Sequence, residues 1–329
     1  MQSHISAQQP LGLDPISHLL DVVETRMIES ISANATTVSK KSLGAVDAAA
    51  YHLGAGGQRV RAKIALQAGL AVGLSATDAI NIAAAVELMH NASLVHDDIQ
   101  DRDEIRRGQQ TVWFRFGVNT AICTGDLLLS AAYATLCKLE NPHALASMVL
   151  LVHERTAMAI DGQCADLAAG ESFAVNDIGD DVGGDVGDGS HAITRYQQIA
   201  IAKSGALLSL PIELVLLASG HKEYLPDARR AAEAFSVSYQ IVDDLHDVQS
   251  DTCPHTARGA LNIISVYKKA GHADRSAEKA KRLGLEQIDL AIASAKRLPH
   301  NAGAQLMDCA HQLRNVLSER KLEALIGDN

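Results

Sequence analysis

The sequence predicts an all-α protein, a single large bundle of long helices around a deep central cavity. Hydrophobic residues fill 47% of 329 positions, yet aromatics account for only 3%, so the core must be built from Ala, Leu, Val and Ile. Ala and Leu are strong helix formers, and alternating β-branched or aromatic runs that would mark strands are scarce. Several segments free of Gly and Pro outlast an ordinary globular helix, as the members of a large bundle do.

Residues 1–15 are polar, carry Pro10, Gly12 and Pro15, and are expected to fray. A helical pattern begins near Ile16 and runs past Ile31. Gly54, Gly56 and Gly57 then break the chain before a basic cluster of Arg59, Arg61 and Lys63. No Gly or Pro occurs from Leu74 to Arg107, from Ala144 to Asp161, or from Asp227 to Cys253. Asn176 to Ser190 is acidic and Gly-rich and predicts a flexible exposed loop. Its Asp spacing lacks the terminal Glu and the Gly position of a calcium loop. Helical patterning resumes at Ile193 with unchanged composition, so residues 1–329 are expected to form one domain.

Composition excludes several functions. A net charge of −10 argues against a nucleic-acid partner, which needs a basic face. Five scattered cysteines without a Cys-x-x-Cys pattern fit neither a disulfide framework nor a zinc site, and suggest a reducing cytoplasm. No signal-peptide pattern is visible. The most apolar stretch, Leu207 to Leu217, is short and contains Pro211 and Glu213, so no stable membrane anchor is expected.

Two Asp-Asp-x-x-Asp clusters carry the chemistry: Asp97, Asp98 and Asp101, and Asp243, Asp244 and Asp247. Positions i, i+1 and i+4 of a helix project from one side, so each cluster gathers three carboxylates. One such cluster is more often a solvated helix face. Two, each within an apolar stretch, favour a metal reading. Carboxylate oxygens suit Mg²⁺, which completes its shell with water and substrate phosphate. Two such faces opposed across a bundle would trap a diphosphate. His90, Leu94, Asp97 and Asp101 share a helical stripe, and Arg106 and Arg107 follow at its end, where guanidinium groups suit phosphate oxygens.

Five motifs then appear in order: GGQRVRA (Gly56 to Ala62), HDDIQDRDEIRRG, GQCADL (Gly162 to Leu167), KSG (Lys203 to Gly205) and YQIVDDLHD (Tyr239 to Asp247). In this order they resemble the trans-isoprenyl diphosphate synthases, the polyprenyl synthetase family that includes farnesyl and geranylgeranyl diphosphate synthases. An ordered set is far more specific than any one motif. The resemblance is good over residues 40–250 and weak beyond.

The resemblance implies a homodimeric transferase that condenses isopentenyl diphosphate with an allylic diphosphate, using about three Mg²⁺ ions per site. Asp97 and Asp101, supported by Asp98, would hold two ions, and Asp243 with Asp247 a third. Asp244 and Lys203 complete the catalytic set. Arg106, Lys203 and Gln240 would contact the allylic diphosphate, while Arg61, His90 and Arg107 would hold isopentenyl diphosphate beside Gln58. The prenyl tail would extend from the first cluster past Ser93, Ala92, Met89 and Val86. Bulky aromatics near Ala92 and Ser93 close this pocket in short-chain members. Here both residues are small, which implies room for a product of about C20 or longer, with Met89 as an alternative floor and a plain helix–helix contact as an alternative reason for the small residues.

Three departures stand out. Gln58 and Ala62 occupy positions where the family usually has lysine and proline, leaving Arg59 and Arg61 to supply charge. The lysines expected after Asp247 are missing from VQSDTCPHTARGALNIISVY, where Arg258 is the nearest substitute. His246 stands at a usually apolar position. Weaker grips on the second substrate leave open a terpene cyclase-like enzyme that ionises one allylic diphosphate. A third alternative is a non-catalytic subunit regulating another synthase, although both acidic clusters are intact.

Overall fold

The computed structural model describes residues 15–32, 44–175, 190–250 and 261–318. The expected frayed start, the acidic Gly-rich loop and Arg258 lie outside them. The described residues are almost entirely helical. In chain order the helices are α1 (Pro15–Ser32), α2 (Ala45–Gly54), α3 (Val60–Ala71), α4 (Ala76–Asp101), α5 (Val112–Phe116), α6 (Val118–Leu136), α7 (Leu145–Val175), α8 (Ser190–Ala200), α9 (Ala206–Ala218), α10 (Leu225–Ser250), α11 (Ile263–Lys269), α12 (Ser276–Ala295) and α13 (Ala304–Ser318). Two compact units emerge, Met1–Gln67 with Ser75–Glu140, and Ala68–Leu74 with Asn141–Asn329.

In the first unit α4 packs most extensively on α6 and next on α1. Ser75 caps α4 by accepting from the Asp78 amide at 3.1 Å, satisfying one of the donors a helix start leaves open. Asp78 in turn accepts from the Glu140 amide at 2.8 Å, tying the chain after α6 to the start of α4. The buried faces are rich in alanine, with Ala83, Ala84 and Ala85 all at 0% exposure, and such small side chains let helices approach closely. At Gly125 of α6 a Cβ would fall within the imidazole of His96 on α4.

Helix α4 ends at Asp101, where Arg102 adopts left-handed geometry (φ 59°) and its amide bonds the Asp98 carbonyl. Sequence reasoning placed Arg106 and Arg107 at a helix end. Instead they belong to a small antiparallel hairpin, β1 (Ile105–Arg106) pairing with β2 (Gln109–Gln110). The Asp103 carbonyl anchors it by accepting from Thr111 Oγ1 at 2.7 Å and Trp113 Nε1 at 2.8 Å.

In the second unit α10 packs chiefly on α12, with α9 and α13 also against it. Helix α7 runs on through Gly162 to Val175, well beyond the segment expected to end at Asp161. A π-helical turn, Ile201–Gly205, joins α8 to α9. Glu213 is fully buried and accepts two bonds from Arg155 at 2.7 Å and one from Ser209 Oγ at 2.7 Å. Paired in this way, a buried carboxylate avoids the penalty of isolation. The short apolar stretch at Leu207–Leu217 lies within a longer apolar helical run, His191–Ala218. That run is long and apolar enough to cross a membrane, but 78% of its most apolar part is buried inside the protein, as in a core helix.

Candidate active site

The first carboxylate cluster sits on the last turn of α4. Asp97 is half-buried and Asp101 exposed, one turn apart on the same face. Asp98 is fully buried and its Oδ1 accepts from Arg106 Nε at 2.6 Å. Burial pushes the Asp98 carboxyl up to about 6, against the pull of Arg106 and with the help of Asp103 and Asp101. Its Oδ2 is buried without a hydrogen-bond partner. An all-oxygen donor set with one such oxygen fits a hard divalent cation. Among the described residues, no three His, Cys, Asp or Glu side chains converge closely enough to hold a metal alone. Mg²⁺ has no need of such a cage, because one or two carboxylates plus substrate phosphates suffice.

The hairpin after α4 aims the cations. Arg107 (φ 53°) and Gly108 (φ 75°) form its left-handed turn, which lays the Arg107 guanidinium over Gly57. A Cβ at Gly57, itself at φ 140°, would stand 2.8 Å from Arg107 Cζ, so only glycine admits this approach. Arg107 also donates to the Gly56 carbonyl. Gln58 is exposed beside it, and Arg61 is half-buried.

Arg59 departs from expectation. It is 7% exposed, and its guanidinium donates to Glu24 at 2.9 Å and to the Leu53 carbonyl at 3.0 Å. Its charge serves the turn rather than a ligand, and Arg61, Arg106 and Arg107 remain as the arginines assigned to substrate in this unit.

Two imidazoles lie among these guanidinium groups. Burial, then Arg61 and Arg107, hold His90 well below its usual value. Burial, then Arg107 and Arg106, lower His52 to about 4. Both are therefore neutral near pH 7 and sit within the influence of guanidinium groups, an environment suited to an anion. His52 was not singled out by sequence reasoning, and a lone histidine before a glycine turn carries no pattern that would have marked it.

Along α4, Val86, Met89 and Ala92 are buried (2%, 3% and 4% exposed), and the half-buried Ser93 donates to the His90 carbonyl at 2.8 Å. Helical geometry puts Ser93 and Val86 within about 40° of Asp97, Met89 about 80° round and Ala92 about 140° round. Ser93 therefore lines the face that carries the carboxylates more directly than Ala92 does.

In the second unit, α10 carries Asp243 half-buried and Asp244 at 4% exposure. Asp244 Oδ2 accepts from Tyr196 Oη at 2.8 Å and from the Ile263 amide at 2.7 Å, and Oδ1 accepts from Gln240 Nε2 at 2.9 Å. The Gln240 amide assigned to a diphosphate is thus directed at Asp244. His246 is exposed, and the Asp247 side chain lies outside the described residues. Lys203 sits on the π turn with Nζ 2.6 Å from Asp166 Oδ2. Such turns often mark functional positions because they redirect one side chain within a helix.

Asp166 and Tyr196 were also missed by sequence reasoning. Asp166 lies within the quoted GQCADL motif, and Tyr196 precedes Lys203 by two helical turns, so a face-by-face reading could have found both.

A family model described as polyprenyl synthetase matches residues 45–256. Geranylgeranyl pyrophosphate synthase 11, a chloroplastic protein of Arabidopsis thaliana, is 30% identical over 87% of this chain and 81% of its own length. An all-trans-nonaprenyl-diphosphate synthase (geranyl-diphosphate specific) of Rhodobacter capsulatus is 28% identical over 95% of this chain and 90% of its own. Among solved structures, a decaprenyl diphosphate synthase from Rhodobacter capsulatus matches with a TM-score of 0.74 at 20% identity, covering 92% of this chain and 98% of that one. This last likeness bears on the fold.

Proposed function

Because the chain belongs to the polyprenyl synthetase family and is a prenyltransferase that elongates prenyl diphosphates, we propose that it condenses isopentenyl diphosphate with an allylic diphosphate in a Mg²⁺-dependent reaction, giving a trans product of about C15–C20 or longer. The family generally uses Mg²⁺, and about three ions per site is the count proposed here. The observation that carries the reading is the end of α4, with Asp97 and Asp101 on one face and buried Asp98 locked to Arg106.

Bound Mg²⁺ would neutralise the diphosphate so that it can depart with the electron pair of the allylic C–O bond. Asp97, Asp101 and Asp243 would supply its carboxylate ligands, and Asp98 and Asp247 would support them. Arg106 and Lys203 would hold the allylic diphosphate, with Asp98 and Asp166 restraining their side chains. Arg61, Arg107 and neutral His90 would hold isopentenyl diphosphate. Its double bond attacks the allylic carbon, and the proton lost from the adjacent carbon passes to the departing diphosphate. Apolar Val86 and Met89 keep water from the cation.

The same reading makes the protein a cytoplasmic homodimer. The scattered cysteines, without a Cys-x-x-Cys pattern, suit a reducing compartment. On α6, Val118 and Ile122, one turn apart, are 44% and 45% exposed and offer an apolar stripe to a second copy.

Radiolabelled isopentenyl diphosphate with geranyl or farnesyl diphosphate and Mg²⁺ tests the proposal. Label should enter a longer diphosphate, and Asp97→Ala or Asp243→Ala should lower turnover by about a hundredfold or more. A hydrocarbon formed without isopentenyl diphosphate would point to a cyclase. Inertness alone, with activation of an added synthase, would point to a regulatory subunit.

A further inference from the structure

We propose that Tyr196 is a positioning residue for the second carboxylate cluster: through Asp244 it joins α8, α10 and the start of α11, and so fixes where Asp243 presents its carboxylate. This rests on the Mg²⁺–diphosphate reading of that cluster.

Tyr196 is 2% exposed and ranks among the largest fully buried side chains of the protein. Its hydroxyl reaches Asp244 Oδ2 at 2.8 Å, and the Ile263 amide reaches the same oxygen at 2.7 Å. Gln240 takes Oδ1 at 2.9 Å, and Asn262 Nδ2 donates to the Asp244 carbonyl at 3.2 Å. Asn262 also caps α11 by accepting from the Ile264 amide at 2.8 Å. A carboxylate offers about four acceptor positions, and three are filled here by protein donors. Asp244 is therefore engaged as a strut rather than as an open ligand. Neighbouring residues on a helix diverge by about 100°, so holding Asp244 inward turns Asp243 toward the half-exposed side.

Toward the Asp244 carboxylate the phenol is the donor. Burial, then Asp244, Asp243 and Asp166, push its ionisation far above the usual tyrosine value. Of these carboxylates Asp244 is the one bonded to the hydroxyl, while Asp166 is the partner of Lys203. Tyr196 thus acts on the cluster through Asp244, its hydrogen-bond partner.

Calorimetric titration of inorganic diphosphate and Mg²⁺ into the full chain tests the assignment without relying on turnover. Tyr196→Phe keeps the ring and removes only the donor. It should retain native helix content by circular dichroism, yet weaken Mg²⁺-dependent diphosphate binding by about tenfold. Asp244→Asn should weaken binding at least as much. The double variant should fall within about twofold of the worse single one, because the two residues act as one device. Binding by Tyr196→Phe within about twofold of native, even with a lowered melting temperature, would reduce the residue to a packing role and overturn the proposal. Losses that multiply in the double variant would overturn it as well. If the native chain binds no Mg²⁺–diphosphate, the functional reading itself fails, and this inference with it.

Discussion

Ala62 shows how one residue reshapes its surroundings. It occupies the third position of α3, and its amide donates to Glu87 Oε1 at 3.0 Å, with Glu87 only 2% exposed. A proline could adopt the backbone there but has no N–H to give. Ala62→Pro should therefore cost about 1–3 kcal/mol of stability by leaving a buried carboxylate oxygen short of a donor, measured by urea unfolding. Ala62→Gly keeps the donor and should cost less. His52 gives a pH-dependent prediction. Its pKa is about 4 in the folded chain against 6.5 unperturbed, lowered by burial and by Arg107, Arg106 and Arg59. The unfolded chain binds the proton more readily, so this contribution to stability is complete above about pH 6.5 and is lost as pH falls toward 4. At pH 5 the loss is about 2 kcal/mol. His52→Leu should remove that part of the acid sensitivity, seen as a smaller drop in urea midpoint between pH 7 and pH 5. Neither effect was legible beforehand, because each depends on a partner on another element: Glu87 on α4 for Ala62, and Arg106 and Arg107 on the hairpin for His52.

Among the elements, the long helices were legible and their interruptions were not. Stretches without Gly or Pro marked α4 and α10, whereas the Asp-Asp-x-x-Asp spacing did not show that Asp98 and Asp244 would be buried and bonded inward. Boundaries slipped where a glycine lies inside a helix. The Gly- and Pro-free stretch ends at Asp161, yet α7 runs straight on through Gly162, because the missing side chain admits another helix there. A Cβ at Gly162 would strike the backbone at Ala202 and Lys203. The hairpin at Ile105–Gln110 escaped notice because strands of two residues carry no periodicity. The same crossing predicts an effect of substitution. Gly162→Ala must push α7 from the π turn, costing about 1–3 kcal/mol as overpacking does. It should also disturb the Lys203–Asp166 pair, which is set by these two elements. A melting curve with an Mg²⁺–diphosphate titration checks both. Lower stability with unchanged diphosphate affinity would show that Lys203 does not depend on this crossing.

For the molecule as a whole, an acidic protein must hold anionic substrates with a few local cations. Its net charge is −10, and the arginine at position 59 is spent on its own turn. Product length is then a matter of space rather than charge. On the proposed reading, each added isoprene unit lengthens an apolar tail while the diphosphate end stays near the carboxylates. A bulky side chain on the same face as Asp97 should stop elongation where it stands. Ser93 lies one turn before Asp97 on that face, is half-buried, and contributes only a hydroxyl bonded back to the His90 carbonyl. Ser93→Phe should shift the product distribution toward shorter diphosphates, with the rate of the first condensation reduced by less than about tenfold. Ala92→Phe, set about 140° from Asp97, should disturb the buried packing of α4 more than it shortens the product. Thin-layer analysis of dephosphorylated products separates the two positions. Equal shortening by both variants would place the tail along a broader face of α4 than the Asp97 stripe, and no shortening by either would place it elsewhere.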